Sequence, residues 1–442
     1  MIARSPPRFG RRAVLLGGVA ASLWTWRGAA GAATTPLQLT AAPAALALAP
    51  PPAAPTPLLA YDGVVPGPLI RLRLGDDLAL HFANRLDAPT TLSFPGLRLA
   101  NAVAGIGGLV APPIAPGAQT EIRFAPPDAG FNLYLPDVGA ATARQLGAGL
   151  FGPIVVEEPA PPAVDLEAVV VLADWRLDAA GRLSGDAGPA TLVSAGASTA
   201  PRRFSAAPGA RVRLRLANAS AARAMTIVVS GVAPLIVAGD GQPSAAFAPL
   251  DNRLPIGPGA RFELVFDMAD AEVAFALRGE AEGESDRPLI VFAGDGPPKL
   301  ARPAFAGLAA NPLLPREINL ARARRFALTL SGGGGAPLAI DGETLSDWSA
   351  RPQFAVPLGA PVTLALVNAT AVAQTMRLGG HVARLLHALD DGWEPYWRDV
   401  IAVAPGRTTR LAFVADNPGK WPIASATPAA RAAGLCGWFE VG

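Results

Sequence analysis

The chain of 442 residues is poor in the side chains that most often carry chemistry: one cysteine, three histidines, four methionines and two lysines. A single thiol excludes any internal disulfide, so packing has to hold the fold together. One cysteine and three histidines also exclude a cofactor site built from a dense shell of imidazole and thiolate. Excess charge is lacking too: 37 basic and 35 acidic residues leave a net charge of +2, which is no electrostatic footprint for nucleic acid. Lys299 and Lys420 are the only lysines, so the cations are nearly all guanidinium. Past the N-terminus there is no uncharged apolar run of about 18 residues, and the mature chain is expected to have no membrane span. What is abundant is punctuation, with 47 glycines and 46 prolines between short apolar segments. At about 150 residues per domain the length predicts three domains, each able to bury a core.

The N-terminus reads as an address. Arg11-Arg12 precede the apolar stretch Ala13 to Trp26, then Arg27 and the small-residue run Gly28 to Ala33. Basic, apolar, small is the order of a signal peptide, and the stretch is too short to span a bilayer. The paired arginines and the basic residue after the apolar part favour twin-arginine export, with cleavage near Ala30-Gly31-Ala32. The expected partner in transit is the twin-arginine machinery and the expected destination the periplasm. The absence of disulfides agrees with folding in a reducing cytoplasm.

Two landmarks recur three times in the same order. The first is Gly75-x-x-Leu78-x-Leu80-x-Phe82-x-Asn84, matched by Gly209 to Asn218 and Gly359 to Asn368. Each is a turn glycine, a period-two apolar run and an asparagine that can stop a strand. The second is a Pro-Gly turn with two apolar residues at fixed offsets: Pro116-Gly117 to Phe124, Pro258-Gly259 to Phe266, Pro405-Gly406 to Phe413. Such repetition implies an all-β chain of three consecutive Greek-key sandwich or barrel domains, at 34–160, 161–300 and 301–442 behind a signal at 1–33. Ile70, Leu72 and Leu74 alternate with Arg71 and Arg73, which predicts one buried and one wet face. The endings Gly149-Leu150-Phe151-Gly152 and Gly434-Leu435-Cys436-Gly437 relate domains one and three; domain two lacks this ending. Gly332 to Gly335 reads as a hairpin loop.

The segments Tyr61-Asp62-Gly63, Pro66-Gly67-Pro68, Pro127-Asp128-Ala129-Gly130, Asp174-Trp175, Asp240-Gly241-Gln242-Pro243, Trp397-Arg398-Asp399 and Gly437-Trp438-Phe439 together resemble the multicopper oxidases over essentially the whole mature chain. The resemblance implies three cupredoxin-like domains, with copper in and between the outer two and substrate oxidation coupled to dioxygen reduction. Against that pattern the copper-ligand positions here carry Ser93, Pro95, Leu135, Asp137, Gln374, Arg377, Gly379, Ala424, Ser425, Ala426, Ala430 and Leu435. None is an imidazole or a thiolate, and Leu, Gly, Ala and Pro offer no donor. The expectation is a degenerate multicopper oxidase, not an enzyme, with no metal or other cofactor.

The resemblance places Asp137 and Arg377 on the three-copper site from opposite domains. Either they form an interdomain ion pair in place of metal, or Asp137 caps a loop while Arg377 reaches solvent. A substitute metal site from His381, Cys436 and His387 would lack a fourth ligand and its supporting shell. Cys436, opposite Phe151 in the repeat, reads as a small hydrophobe, and His81 as a surface or interdomain residue. No nucleophile with its base, phosphate loop or dinucleotide fingerprint is present. The functional expectation is a monomeric periplasmic scaffold with an unidentified protein partner, similar to the copper-free, twin-arginine-exported members of the superfamily associated with the division septum. The alternatives are a ligand-binding or residual oxidoreductase role in the vacated cleft, which offers Asp137, Arg377, Ser93 and Ser425, or copper sequestration at a surface site.

Overall fold

The computed structural model describes residues 34–48, 54–184, 192–279, 283–386 and 392–442; the segment read as an export signal and His387 lie outside them. Among the described residues the strands form six sheets, two in each third of the chain. The repeated sequence landmarks turn out to be spatial neighbours. In each domain the strand after the repeat glycine (Asp77–Asn84, Arg211–Asn218, Pro361–Asn368) runs antiparallel to the strand after the Pro-Gly turn (Gln119–Phe124, Arg261–Asp267, Thr408–Val414). On its other side it pairs in parallel with Thr34–Leu46, Leu166–Trp175 or Arg324–Gly333. A parallel pair needs a connection that leaves the sheet and returns, which builds the second sheet over the first. All six repeat glycines adopt φ between +66° and +102°, where an L side chain is strained.

The asparagine closing each repeat does more than stop a strand. Asn84 Nδ2 donates to the carbonyls of Ala88 and Ile114, while its Oδ1 accepts the Leu86 N–H. Asn218 makes the same three bonds to Arg223, Ile256 and Ser220, and Asn368 to Val372, Val403 and Thr370. One buried amide thus satisfies three backbone groups of the turn that carries the chain out of the sheet.

Each sandwich holds its own apolar core. A fourth cluster straddles domains one and two, with Leu58, Phe131, Leu133 and Phe151 against Val171, Trp175, Ala217 and Ala219. Domain one also inserts Ile106 into the domain-three core. The first repeat behaves as its alternation predicts, with Ile70 and Leu72 buried and Arg71 and Arg73 exposed. The middle domain does not. Arg211–Asn218 is buried on both faces, because Arg213 and Arg215 lie under domain one, paired with Glu158, Glu167 and Glu263. Packing against a neighbouring domain turns a face that would be wet into an internal ion-pair layer.

The Gly149 and Gly434 endings each follow a short helix, Ala141–Gly147 and Pro428–Ala432, and both glycines have φ above +110°. These helices meet at the junction of domains one and three. The Gly332 to Gly335 loop is a hairpin between Arg324–Gly333 and Ala336–Ile340. No helix among the described residues is long and apolar enough to cross a membrane.

Candidate functional site

Asp137 follows the strand Gly130–Tyr134 into the seam between domains one and three. Its backbone is pinned on both sides: its N–H donates to Thr91 Oγ1 at 2.8 Å and its carbonyl accepts the Gly107 N–H at 2.8 Å. With the main chain held, the side chain projects into the seam and is fully buried. Arg377, on the strand Gln374–Leu378, donates through Nη2 to Asp137 Oδ2 at 2.5 Å. The structure therefore brings together the two residues singled out from opposite domains. It adds a third: Arg431, on the helix Pro428–Ala432, donates through Nη1 to Asp137 Oδ1 at 2.5 Å. The Arg431 guanidinium lies over the Trp348 ring, 4.3 Å from its centroid, a fixed planar stack that a lysine would not reproduce. Burial by itself would raise the Asp137 carboxyl, but Arg431 and Arg377 outweigh it and hold the group below the usual carboxylate range.

The charge network continues into domain two. Arg261 donates to Asp399 at 2.5 Å, and Arg398 donates to Asp240 at 2.6 Å. Asp240 also accepts the N–H groups of Arg261 and Val400, at 3.0 and 3.1 Å. Asp240, Arg398 and Asp399 belong to motifs that carried the family resemblance, and they work here as bolts between domains two and three. Burial pushes the Asp399 carboxyl up to about 6, against the pull of Arg261. A second set of bolts centres on Asp128, which takes both Arg98 N–H groups and the amides of Gln242 and Asn311. Arg98 reaches on to Asp416 of domain three at 2.9 Å.

The remaining positions opposite the family's copper ligands are committed to the protein itself. Ser93 Oγ donates to the Leu135 carbonyl at 3.0 Å, and Ser425 Oγ to the Thr375 carbonyl at 3.2 Å. Gln374 donates to Thr370 Oγ1 at 3.1 Å. The expected polar cleft is accordingly a small space of about 40 Å³. Its wall is largely apolar, including Leu133, Leu135, Leu146, Ala424 and Ala426. Ser93 does not line it, and the Ser425 hydroxyl has spent its one proton on the Thr375 carbonyl and also accepts the Thr427 N–H.

His381 and Cys436 are not poised for metal. His381 Nδ1 sits 3.0 Å from the Gly379 carbonyl, and its Nε2 accepts the Asn417 N–H at 3.3 Å. The ring packs among Phe413, Trp421 and Phe439, and burial pushes its pKa down to about 4. Cys436 is fully buried in the seam, where burial pushes its thiol up against the pull of Arg431. His81 is exposed, 3.8 Å from Glu121. The copper implied by the fold does not fit this donor set. Where soft thiolate and neutral imidazole are needed, the seam presents three guanidinium groups, a carboxylate that two of them occupy, and a largely apolar wall.

Two parts of this site escape the sequence reading. Arg431 directly follows the ligand position Ala430, and a guanidinium inside the run Pro428-Ala429-Ala430-Arg431-Ala432-Ala433 was the available signal. The Arg261–Asp399 pair carries no local signal, because its members come from different domains.

The multicopper oxidase family profile matches residues 47–161 and 319–442, together more than half of the chain. Multicopper oxidase MmcO of Mycobacterium tuberculosis is 28% identical over 419 residues, 82% of this chain and 79% of that protein. Cell division protein FtsP of Edwardsiella tarda is 31% identical over 250 residues, 52% of this chain and 51% of the relative; the matched region spans about half the length of such cell-division relatives. The crystal structure of a multi-copper oxidase from Pseudomonas thermotolerans superposes with a TM-score of 0.83 at 27% identity, covering 93% of this chain and all of that one. The repeated landmarks, the paired sheets of each domain and these matches agree: the chain belongs to the multicopper oxidase family.

Proposed function

We propose that this protein is a non-enzymatic, exported member of the family, a periplasmic scaffold that supports the division septum through a protein partner. The observation that carries the reading is Asp137, clamped by Arg377 and Arg431 in the seam where the family pattern puts copper ligands. A buried carboxylate between two guanidinium groups does the mechanical work of joining domains one and three, and the net positive charge of the three groups together repels a cationic metal. Fold alone leaves function open; the similarity to cell-division proteins of about half-length coverage is what favours the septum over other periplasmic roles. The ligand-binding alternative is disfavoured by the size of the space, since organic ligands occupy roughly 300–1,000 Å³.

The test has two arms. Protein purified from copper-supplemented cells should hold no stoichiometric copper and should not consume oxygen with phenols or cuprous ion as donor. Copper near one or more equivalents per chain together with turnover would end the reading. Cross-linking in dividing cells should then capture septal proteins, and capture of none, with uniform distribution around the periplasm, would remove the division role while leaving the pseudoenzyme.

A further inference from the structure

Four charged side chains line the seam cavity: Asp137, Arg261, Arg377 and Arg431. Asp137 neutralises one guanidinium and Asp399, paired with Arg261, neutralises a second. The Asp240–Arg398 pair behind them is balanced. Among the lining side chains and their partners one positive charge is left over; Asp174, a further buried carboxylate that accepts the Ala221 N–H beside Ser220, does not line the cavity. Cys436 does not supply the missing negative charge, since burial keeps it a thiol, and Asp347, the other carboxylate near that thiol, is exposed and screened by solvent.

Hydrogen bonding is unbalanced in the same direction. Ser220 lines the cavity, is 1% exposed, and its hydroxyl has no hydrogen-bond partner. Arg261 Nε–H is buried without an acceptor. Arg431 Nε–H and Nη2–H find no oxygen acceptor either, with only the weakly accepting Cys436 thiol beside the guanidinium. Both oxygens of Asp137 are already taken, and the other hydroxyls at the wall, Ser425 and Thr142, bond to backbone. An orphan acceptor, Asn132 Oδ1, does lie beside Arg261, but on its Gly96 side and not at the cavity wall; among the groups that line the cavity, donors and positive charge are in excess. Native interiors seldom leave buried donors unsatisfied, and an unneutralised buried charge is costly.

We infer that the seam binds one small monovalent anion of the halide class, seated between Ser220, Arg431, Arg377 and Arg261. A guest there has to be acceptor-only, carry one negative charge and be small. The volume of about 40 Å³ admits it, on the scale where about 10–15 Å³ holds one water, and leaves no room for a guest of organic-ligand size. This inference deepens the reading of the seam as a metal-free lock and rests on it: the anion completes the charge balance that joins the three domains.

The test uses the full mature chain at constant ionic strength, with gluconate, too large to enter, exchanged stepwise for chloride or bromide. The melting midpoint should rise with halide and saturate, as expected for a ligand bound only by the folded state. Bromide soaked into crystals should give one anomalous peak in the seam. Ser220→Ala, which removes a donor without leaving a buried charge unpaired, should raise the half-saturating halide concentration about ten-fold. Arg431→Gln should abolish saturation. Equal midpoints in gluconate and halide with no bromide peak would overturn the inference and leave a seam filled by water. A halide effect identical in the parent and in Ser220→Ala, again with no peak, would assign it to general salt action and overturn it too. Copper content is measured on the same preparation. Stoichiometric copper defeats the metal-free reading whatever the halide result, whereas no copper and no halide effect defeats the anion alone.

Discussion

Replacing Asp137 by asparagine tests the seam most directly. The substitution keeps the shape and one carbonyl oxygen but removes the charge between two guanidinium groups. Arg431 is 4% exposed and Arg377 16%, so neither is freely hydrated when its partner becomes neutral. Breaking a buried ion pair from one side costs about 3–5 kcal/mol, because it leaves charge buried without compensation. Two further substitutions calibrate the figure. In Arg377→Gln the carboxylate keeps Arg431, and the lost partner is the more exposed of the two guanidinium groups, so a cost of about 1–2 kcal/mol is expected. Arg431→Gln removes the deeper guanidinium and its stack on Trp348, and should fall between the two. The order Asp137→Asn, then Arg431→Gln, then Arg377→Gln is the fingerprint of a carboxylate at the centre of a clamp. Urea unfolding followed by tryptophan fluorescence reads it, with Trp348 as a local reporter of the seam. Midpoints are compared rather than extrapolated free energies, because a three-domain chain need not unfold in one step. If the Asp137→Asn midpoint falls no further from the parent than that of an ordinary surface substitution, or if Arg377→Gln lowers the midpoint more than Asp137→Asn, the clamp is not what joins these domains.

Other parts of the structure make independent predictions. His381 is buried neutral with a pKa lowered to about 4 against about 6.5 unfolded, so the folded state binds fewer protons. Its contribution is present above about pH 6.5 and lost as pH falls toward 4, by up to about 3 kcal/mol. Asp399, raised to about 6, acts in the opposite sense over about pH 4–6, so the His381 term is read as the difference in melting midpoint between parent and His381→Gln from pH 4 to 7. A parallel pair of curves would refute it. Asn218→Ala strips three buried backbone groups of their partner and should cost about 2–4 kcal/mol in a denaturant titration. Asn218→Asp should fare no better, since a carboxylate cannot donate to the Arg223 and Ile256 carbonyls. Gly434→Ala sets a Cβ 1.9 Å from the Leu338 carbonyl oxygen at φ +133°, so soluble expression should fall sharply, whereas Gly406→Ala, with open space around its Cβ, should cost about 1 kcal/mol through φ alone.

The repeat was legible because it is written in local chemistry. A glycine at positive φ, period-two apolar residues and a Pro-Gly turn each act on the chain segment that contains them, so spacing alone announced three β-domains. The asparagine of each repeat was visible but underread, since its role is to bond turns up to 38 residues away. Burial of the arginine face of Arg211–Asn218 was not legible at all. The same alternation that leaves Arg71 and Arg73 exposed in domain one is covered in domain two, and only the neighbouring domain makes the difference.

The seam divides in the same way. That imidazole and thiolate are scarce, and absent from the positions where the family pattern wants them, is a property of the sequence and needs no coordinates. That Asp137 meets a guanidinium on each oxygen, that Ser93 and Ser425 turn to backbone carbonyls, and that the space between domains shrinks to about 40 Å³ were decided by tertiary structure. Composition limits which chemistry a chain can perform; charge balance in a buried seam depends on which side chains arrive there from three different domains, and that is a property of packing.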